Sequence, residues 1–130
     1  MSMNQTVIVS GKGKYALKAV PVLCGEDVYV AVTGGTRNHI GAVAMAVPRQ
    51  SLSDKRVTSA TASVLCNPGH KDDMPARNLA LRLSSFLNRT VCVSVGIHID
   101  GAGPADLEAF QKELDRLYDA LAVWMKEKRI

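Results

Sequence analysis

Aromatic side chains are scarce in this 130-residue chain: one tryptophan, two phenylalanines and three tyrosines, 5% of the sequence. Surfaces that grip single-stranded nucleic acid stack bases on such rings, so no nucleic-acid partner is expected. Cysteine is scarce as well. Cys24, Cys66 and Cys92 are odd in number and show no paired spacing, which reads as reduced thiols in a cytoplasmic protein rather than a disulfide framework. No apolar run reaches membrane-spanning length, and Met1–Asn4 shows no basic segment leading into an apolar one. Neither a membrane anchor nor a secretory signal is therefore expected. Charge of one sign is only mildly in excess, at a formal +4, which suits a phosphate-bearing ligand or an acidic partner. The basic tail Lys126, Lys128 and Arg129 reads as a solvated helix end.

The hydrophobic fraction, by contrast, is 47%, enough to build a core, and the length fits a single domain over residues 1–130. Alternating apolar residues predict six strands. These are Gln5–Ser10, Tyr15–Cys24, a third centred on Val28, Val30 and Val32, Ile40–Pro48, Val57–Cys66 and Thr90–Asp100. Ala42, Ala44 and Ala46 give the fourth strand a small-residue face that a neighbour can approach closely. A helix starts at Asp72 or Asp73, with Pro75 in its first turn and a stripe of Ala76, Leu79, Ala80, Leu83 and Leu87. A second helix, Ala105–Lys126, repeats Leu107, Phe110, Leu114, Leu117, Leu121 and Trp124 at helical spacing. Its apolar face, widened by Tyr118 and Met125, is broad enough to serve a homodimer. The expected fold class is α+β: a mostly antiparallel sheet of about six strands with both helices packed on one face. The crossover through the first helix returns the sixth strand parallel to the fifth.

That topology brings distant polar residues to one end of the sheet. The loop with His39, the end of the fifth strand with His70 and the end of the sixth with His98 all fall there, as do both helix starts and the turn Lys12–Lys14. Helix starts favour anions, and Lys12, Lys14, Arg37 and Lys71 add positive charge. Gly34, Gly35, Gly69, Gly96, Gly101 and Gly103 let a ligand approach the backbone. Three imidazoles on one rim are material for a metal or acid–base site. His98 shares a strand face with Ser94, Gly96 and Asp100, and Asp100 is placed to ligate or to orient an imidazole. Gly34-Gly35 has no helix directly after it and does not match a nucleotide-binding fingerprint.

These same segments carry a resemblance. Gly34-Gly35, His39-Ile40-Gly41-Ala42-Val43-Ala44, Pro68-Gly69-His70-Lys71-Asp72-Asp73 and Gly96-Ile97-His98-Ile99-Asp100 resemble the prenylated-flavin chaperone family of LpdD type. That family is the small D component associated with gallate and related hydroxyarylic acid decarboxylases. The resemblance implies a fold like that of proteasome-assembly-chaperone relatives and a non-enzymatic role. The family is thought to bind reduced prenylated FMN made by a UbiX-like flavin prenyltransferase, and to protect it or pass it to a UbiD-like decarboxylase. On this chain the expected cofactor-binding residues are Lys12, Gly34, Gly35, Arg37, Lys71, Ser94, Gly96 and Asp100. A divalent metal ion on His39, His70 and His98 would bridge to the FMN phosphate. Two other readings remain: a non-catalytic assembly subunit of the decarboxylase, and a small metal-dependent hydrolase or lyase with Asp100 or Asp72 as base.

Overall fold

The structure, a computed structural model, describes residues 5–69 and 71–129. Six strands form one sheet: β1 (Ile8–Ser10), β2 (Leu17–Cys24), β3 (Asp27–Gly35), β4 (Ala42–Gln50), β5 (Thr58–Cys66) and β6 (Val91–His98). Helix α1 (Asp73–Leu87) joins β5 to β6, and α2 (Pro104–Glu127) follows β6. A single turn of 3-10 helix, Gly13–Tyr15, links β1 to β2.

The strand order is β1-β2-β3-β6-β4-β5. Every neighbouring pair is antiparallel except β3 and β6, which run parallel. The expected α+β architecture is thus present, and β6 does point the same way as β5. It does not lie beside β5, however. It enters between β3 and β4, so these two are not a hairpin pair. Long-range pairing chose this slot. The central position buries Val91, Val93 and Val95 completely, flanked by Val28, Val30 and Val32 on one side and Ala42, Ala44 and Ala46 on the other.

Both helices cover the same face. Helix α1 lies over β4, β5 and β6, where the alanines of β4 admit its buried stripe of Ala76, Leu79, Ala80 and Leu83. It ends at Asn88, which adopts the left-handed conformation common after a helix, while Ser84 Oγ donates to the Arg89 carbonyl at 2.7 Å. Helix α2 packs against β1 and β2 through Phe110, Leu114, Leu117, Leu121 and Met125. Each such fully buried side chain contributes about 1.5–3 kcal/mol of burial free energy. Met125 is wholly buried, and Tyr118 carries the Arg82 guanidinium on its ring at 3.9 Å. The breadth that the sequence offers on α2 is therefore used within the fold. Leu107 departs from its stripe: it is 53% exposed. The strand expected from Gln5 begins only at Ile8.

Candidate cofactor site

The end of the sheet where β3 and β6 finish is the rim foreseen above. Leu17, at the start of β2, pairs with Gly34, and Gly35 pairs with His98. Both helices begin there.

Asp72 organises this rim. It precedes α1 and is buried, yet its carboxylate does not cap the helix. Strand β4 pairs with β6 only as far as Ala42↔Val95. Beyond that point the Ile97 N–H has no strand partner, and Asp72 Oδ1 accepts it at 3.1 Å. The other oxygen, Oδ2, lies 3.2 Å from His39 Nε2. A buried carboxylate needs such partners, because desolvation without them costs several kcal/mol. Gly41 makes the arrangement fit: a Cβ there would strike the Asp72 carboxylate.

His39 is held on both sides, since its Nδ1 also lies 3.4 Å from the Arg37 carbonyl. The His98 ring meets it edge to face, with centroids 5.9 Å apart, and His98 Nε2 is bonded to Asp100 Oδ1 at 2.8 Å. Two imidazoles, each backed by a carboxylate, thus stand side by side. His70 lies outside the described residues. Among the described residues no group of three or more His, Cys, Asp or Glu side chains could hold a metal ion, so the three-histidine metal centre is not assembled by them.

A cavity of about 360 Å³ opens next to His98, between the start of α1, the end of β6 and the first turns of α2. Ile97, Ile99, Leu107, Phe110 and Leu114 give it apolar walls; Lys71, Asp72, His98 and Gln111 are its polar groups. Apolar walls with a few convergent polar groups are the usual make-up of a small-molecule site. Leu107, Phe110 and Leu114 belong to the apolar stripe of α2 that helical spacing marks in the sequence, whereas Gln111 lies between them with no signal of its own. Position 107, at the very start of the helix beside Gly101 and Gly103, was the available signal that this stripe runs past the core.

The other expected residues fall as follows. Lys71 lines the cavity, whereas Lys12 and Arg37 are exposed on the rim without lining it. Lys14 is 3.5 Å from Asp106. Three glycines expected to admit a ligand instead admit the chain itself: side chains at Gly34, Gly35 and Gly96 would strike Leu17, the His98 backbone and the His39 carbonyl respectively. Ser94 lies on the sheet face away from the helices, bonded to the Tyr29 hydroxyl at 2.9 Å. The helix starts also differ from expectation. Asp106 Oδ2 accepts the Gly103 N–H at 3.0 Å, closing the start of α2 with a carboxylate. The Tyr15 hydroxyl also donates to Asp106, and these two bonds hold its carboxyl below the ordinary value of 3.8.

With the rim described, comparison with known proteins decides the family. Residues 11–126 match the family described as prenylated flavin chaperone LpdD-like domain. The chain belongs to that family. It is also 27% identical over 114 residues to Protein LpdD of Lactiplantibacillus plantarum, covering 86% of this chain and 79% of that protein. A solved structure described as a novel chaperone complex for yeast 20S proteasome assembly superposes with a TM-score of 0.53 at 19% identity, covering 92% of this chain and 99% of that one. This last likeness shows the fold, and with it the architecture expected from the sequence. Membership of the LpdD-like family makes the chain an accessory chaperone rather than an enzyme, which removes the hydrolase or lyase reading. Among the described residues no helix is long and apolar enough to cross a membrane.

Proposed function

We propose that this LpdD-like chain binds reduced prenylated FMN at the rim, shields it, and delivers it from a UbiX-like flavin prenyltransferase to a UbiD-like decarboxylase in the cytoplasm. The observation that carries this reading is the cavity beside His98. Its walls of Ile97, Ile99, Leu107, Phe110 and Leu114 suit a flat, largely apolar ring system, and Lys71 supplies a cation for the phosphate. Shielding follows from the same walls, because a reduced flavin held against aliphatic side chains meets less solvent and dissolved oxygen. Cys24, Cys66 and Cys92, none of them in a disulfide, accord with a reducing compartment.

A metal-bridged phosphate is a second form of this reading, and one observation favours it. Metal-ligating histidines commonly bond a carboxylate through their other ring nitrogen, and His98–Asp100 has that form; His39 would have to release its Nδ1 contact with the Arg37 carbonyl to join it. His70 would complete the ligand set.

The test is to co-express the chain with a flavin prenyltransferase, purify it without oxygen, and record its absorbance and metal content beside a His98→Ala variant. Retained flavin absorbance supports the chaperone reading. A colourless protein that still co-purifies with the decarboxylase favours an assembly subunit. Stoichiometric metal lost in His98→Ala establishes the bridged form, whereas metal-free protein that holds flavin assigns the phosphate to Lys71 and its neighbours.

A further inference from the structure

The rim cavity continues beyond its apolar walls. Gln111, with Pro75 and Leu114, also lines a smaller hollow shared with Asn78 and Arg82, and Gln111 lines a further one with Asn78, Arg82 and Asp115. Lys71, Asp72 and His98, the polar groups of the rim, line neither of these. Helix α1 carries Pro75, Asn78 and Arg82 at roughly one-turn intervals away from the rim. The hollows therefore join into one groove between the two helices, and Gln111 stands where apolar cavity passes into polar groove. Asn78, which shares both smaller hollows with Gln111, lies about 9 Å of helix rise beyond Asp72. A flavin covers such a span between its phosphate and its pyrimidine ring.

We propose that Gln111 reads the pyrimidine edge of the flavin, its N3–H and an adjoining carbonyl, and so decides which ring systems the cavity accepts. The proposal rests on the cofactor reading above. Three observations carry it. First, the other polar groups of the cavity are committed: Asp72 to the Ile97 N–H and His39, and His98 to Asp100, while Lys71 serves the phosphate. Second, a primary amide holds an acceptor and a donor side by side, which is the complement of an N–H beside a carbonyl. Third, the amide is aimed. Its Nε2 donates to Asp115 Oδ1 at 3.4 Å, and the same oxygen accepts Arg82 Nη1 at 2.9 Å. Arg82 in turn lies on the Tyr118 ring at 3.9 Å. Because a carboxylate only accepts, the amide nitrogen faces Asp115, which leaves Oε1 and the second hydrogen on Nε2 for a ligand. Oε1 then accepts the N3–H, and that hydrogen goes to the carbonyl. In this pose N5 and C6, where the prenyl ring is fused, stay among the apolar walls, so the same reading serves FMN and its prenylated form. A site that hydrogen-bonds its ligand discriminates against an analogue lacking the group, because its own polar atoms are left unpaired.

The test is an anaerobic titration of the full chain with reduced FMN and with reduced N3-methyl-FMN, for the wild type and Gln111→Leu. Gln111 is exposed on α2, and leucine keeps its bulk and its helix preference, so the fold is retained. The wild type is expected to bind the N3-methyl flavin about tenfold more weakly than FMN, the worth of one amide pairing. Gln111→Leu is expected to bind FMN about tenfold more weakly than the wild type does and to treat the two flavins alike. A general distortion of the cavity would weaken both flavins and leave their ratio intact, so the ratio is the deciding readout. A wild type indifferent to N3 methylation overturns the proposal, and so does a Gln111→Leu variant that keeps the full discrimination. A wild type that binds neither flavin overturns the cofactor reading itself, and the proposal falls with it. A wild type that binds both equally well overturns the proposal alone.

Discussion

At the end of the sheet away from the rim, polar side chains make mostly exposed bonds that close turns, among them Arg56 with Asp54 at 3.1 Å and Ser51 Oγ with Ser53 Oγ at 3.0 Å. Arg89 Nη1 donates to the Glu26 carbonyl at 2.7 Å, Arg49 Nη1 to the Gln50 carbonyl at 3.0 Å, and Ser84 Oγ to the Arg89 carbonyl. At the rim, a buried carboxylate is shared between backbone and side chain, Asp72 with the Ile97 N–H and with His39, and further side chains meet one another: His39 with His98, His98 with Asp100, Lys14 and Tyr15 with Asp106. One sheet therefore has an end of exposed turn-closing bonds and an end organised around a buried carboxylate, and a cavity of about 360 Å³ opens at the latter. Buried side-chain networks are costly when half-made, so the comparison predicts that the rim is the more fragile of the two ends.

Asp72→Ala gives the largest loss, about 3 kcal/mol, because it leaves the Ile97 N–H and the His39 ring without their carboxylate. Asp72→Asn keeps an acceptor for Ile97 and should lose less; equal losses in a urea titration would assign the effect to charge alone. Gly96→Ala follows at roughly 2 kcal/mol, since the new Cβ collides with the His39 carbonyl and must push the His39 loop aside. Arg89→Ala, at the far end, costs only about 1 kcal/mol, the value of one exposed bond to a backbone carbonyl. A far-end loss as large as that of Asp72→Ala would erase the contrast between the ends.

The smallest effect is on acid stability. Asp106 has its carboxyl held below 3.8 by the Tyr15 hydroxyl and the Gly103 N–H. Its contribution is therefore fully present above pH 3.8 and is lost as the pH falls through the lower, folded-state value. Melting curves of the wild type and Asp106→Asn should differ at pH 5 and converge below the folded-state value; a gap unchanged by acid would contradict this.

Much of this was legible in the sequence. Alternation in Val91–His98 and Asp27–Gly35 marks central strands, and chain direction alone carries His39, His98, Lys71 and both helix starts to one rim. The slot of β6 was not legible, because valine alternation is the same beside β5 as between β3 and β4, and only packing against both neighbours separates them. Asp72 reads as a helix cap. Its bond to Ile97 depends on β4 beginning only at Ala42, a feature of pairing that no local pattern carries. The glycines show the same limit from the other side. Gly34, Gly35 and Gly96 announce close approach, but sequence does not say whether ligand or backbone does the approaching; here Leu17, His98 and His39 do. Leu107 and Phe110 share one helical stripe, and only the end of the sheet beneath them turns part of that stripe into a cavity wall.

The central claim is that the rim cavity receives the prenylated flavin. Its most direct test is an anaerobic titration of the full chain with reduced prenylated FMN, comparing wild type, Leu107→Asp and Arg89→Ala. Leu107 is half exposed on the cavity wall, so a carboxylate there is tolerated by the fold but not by an apolar ring. The account predicts tight binding by the wild type and Arg89→Ala, and at least a roughly tenfold loss in Leu107→Asp, the equivalent of about 1.4 kcal/mol. Absence of binding by the wild type, or equal binding by all three proteins, would contradict it.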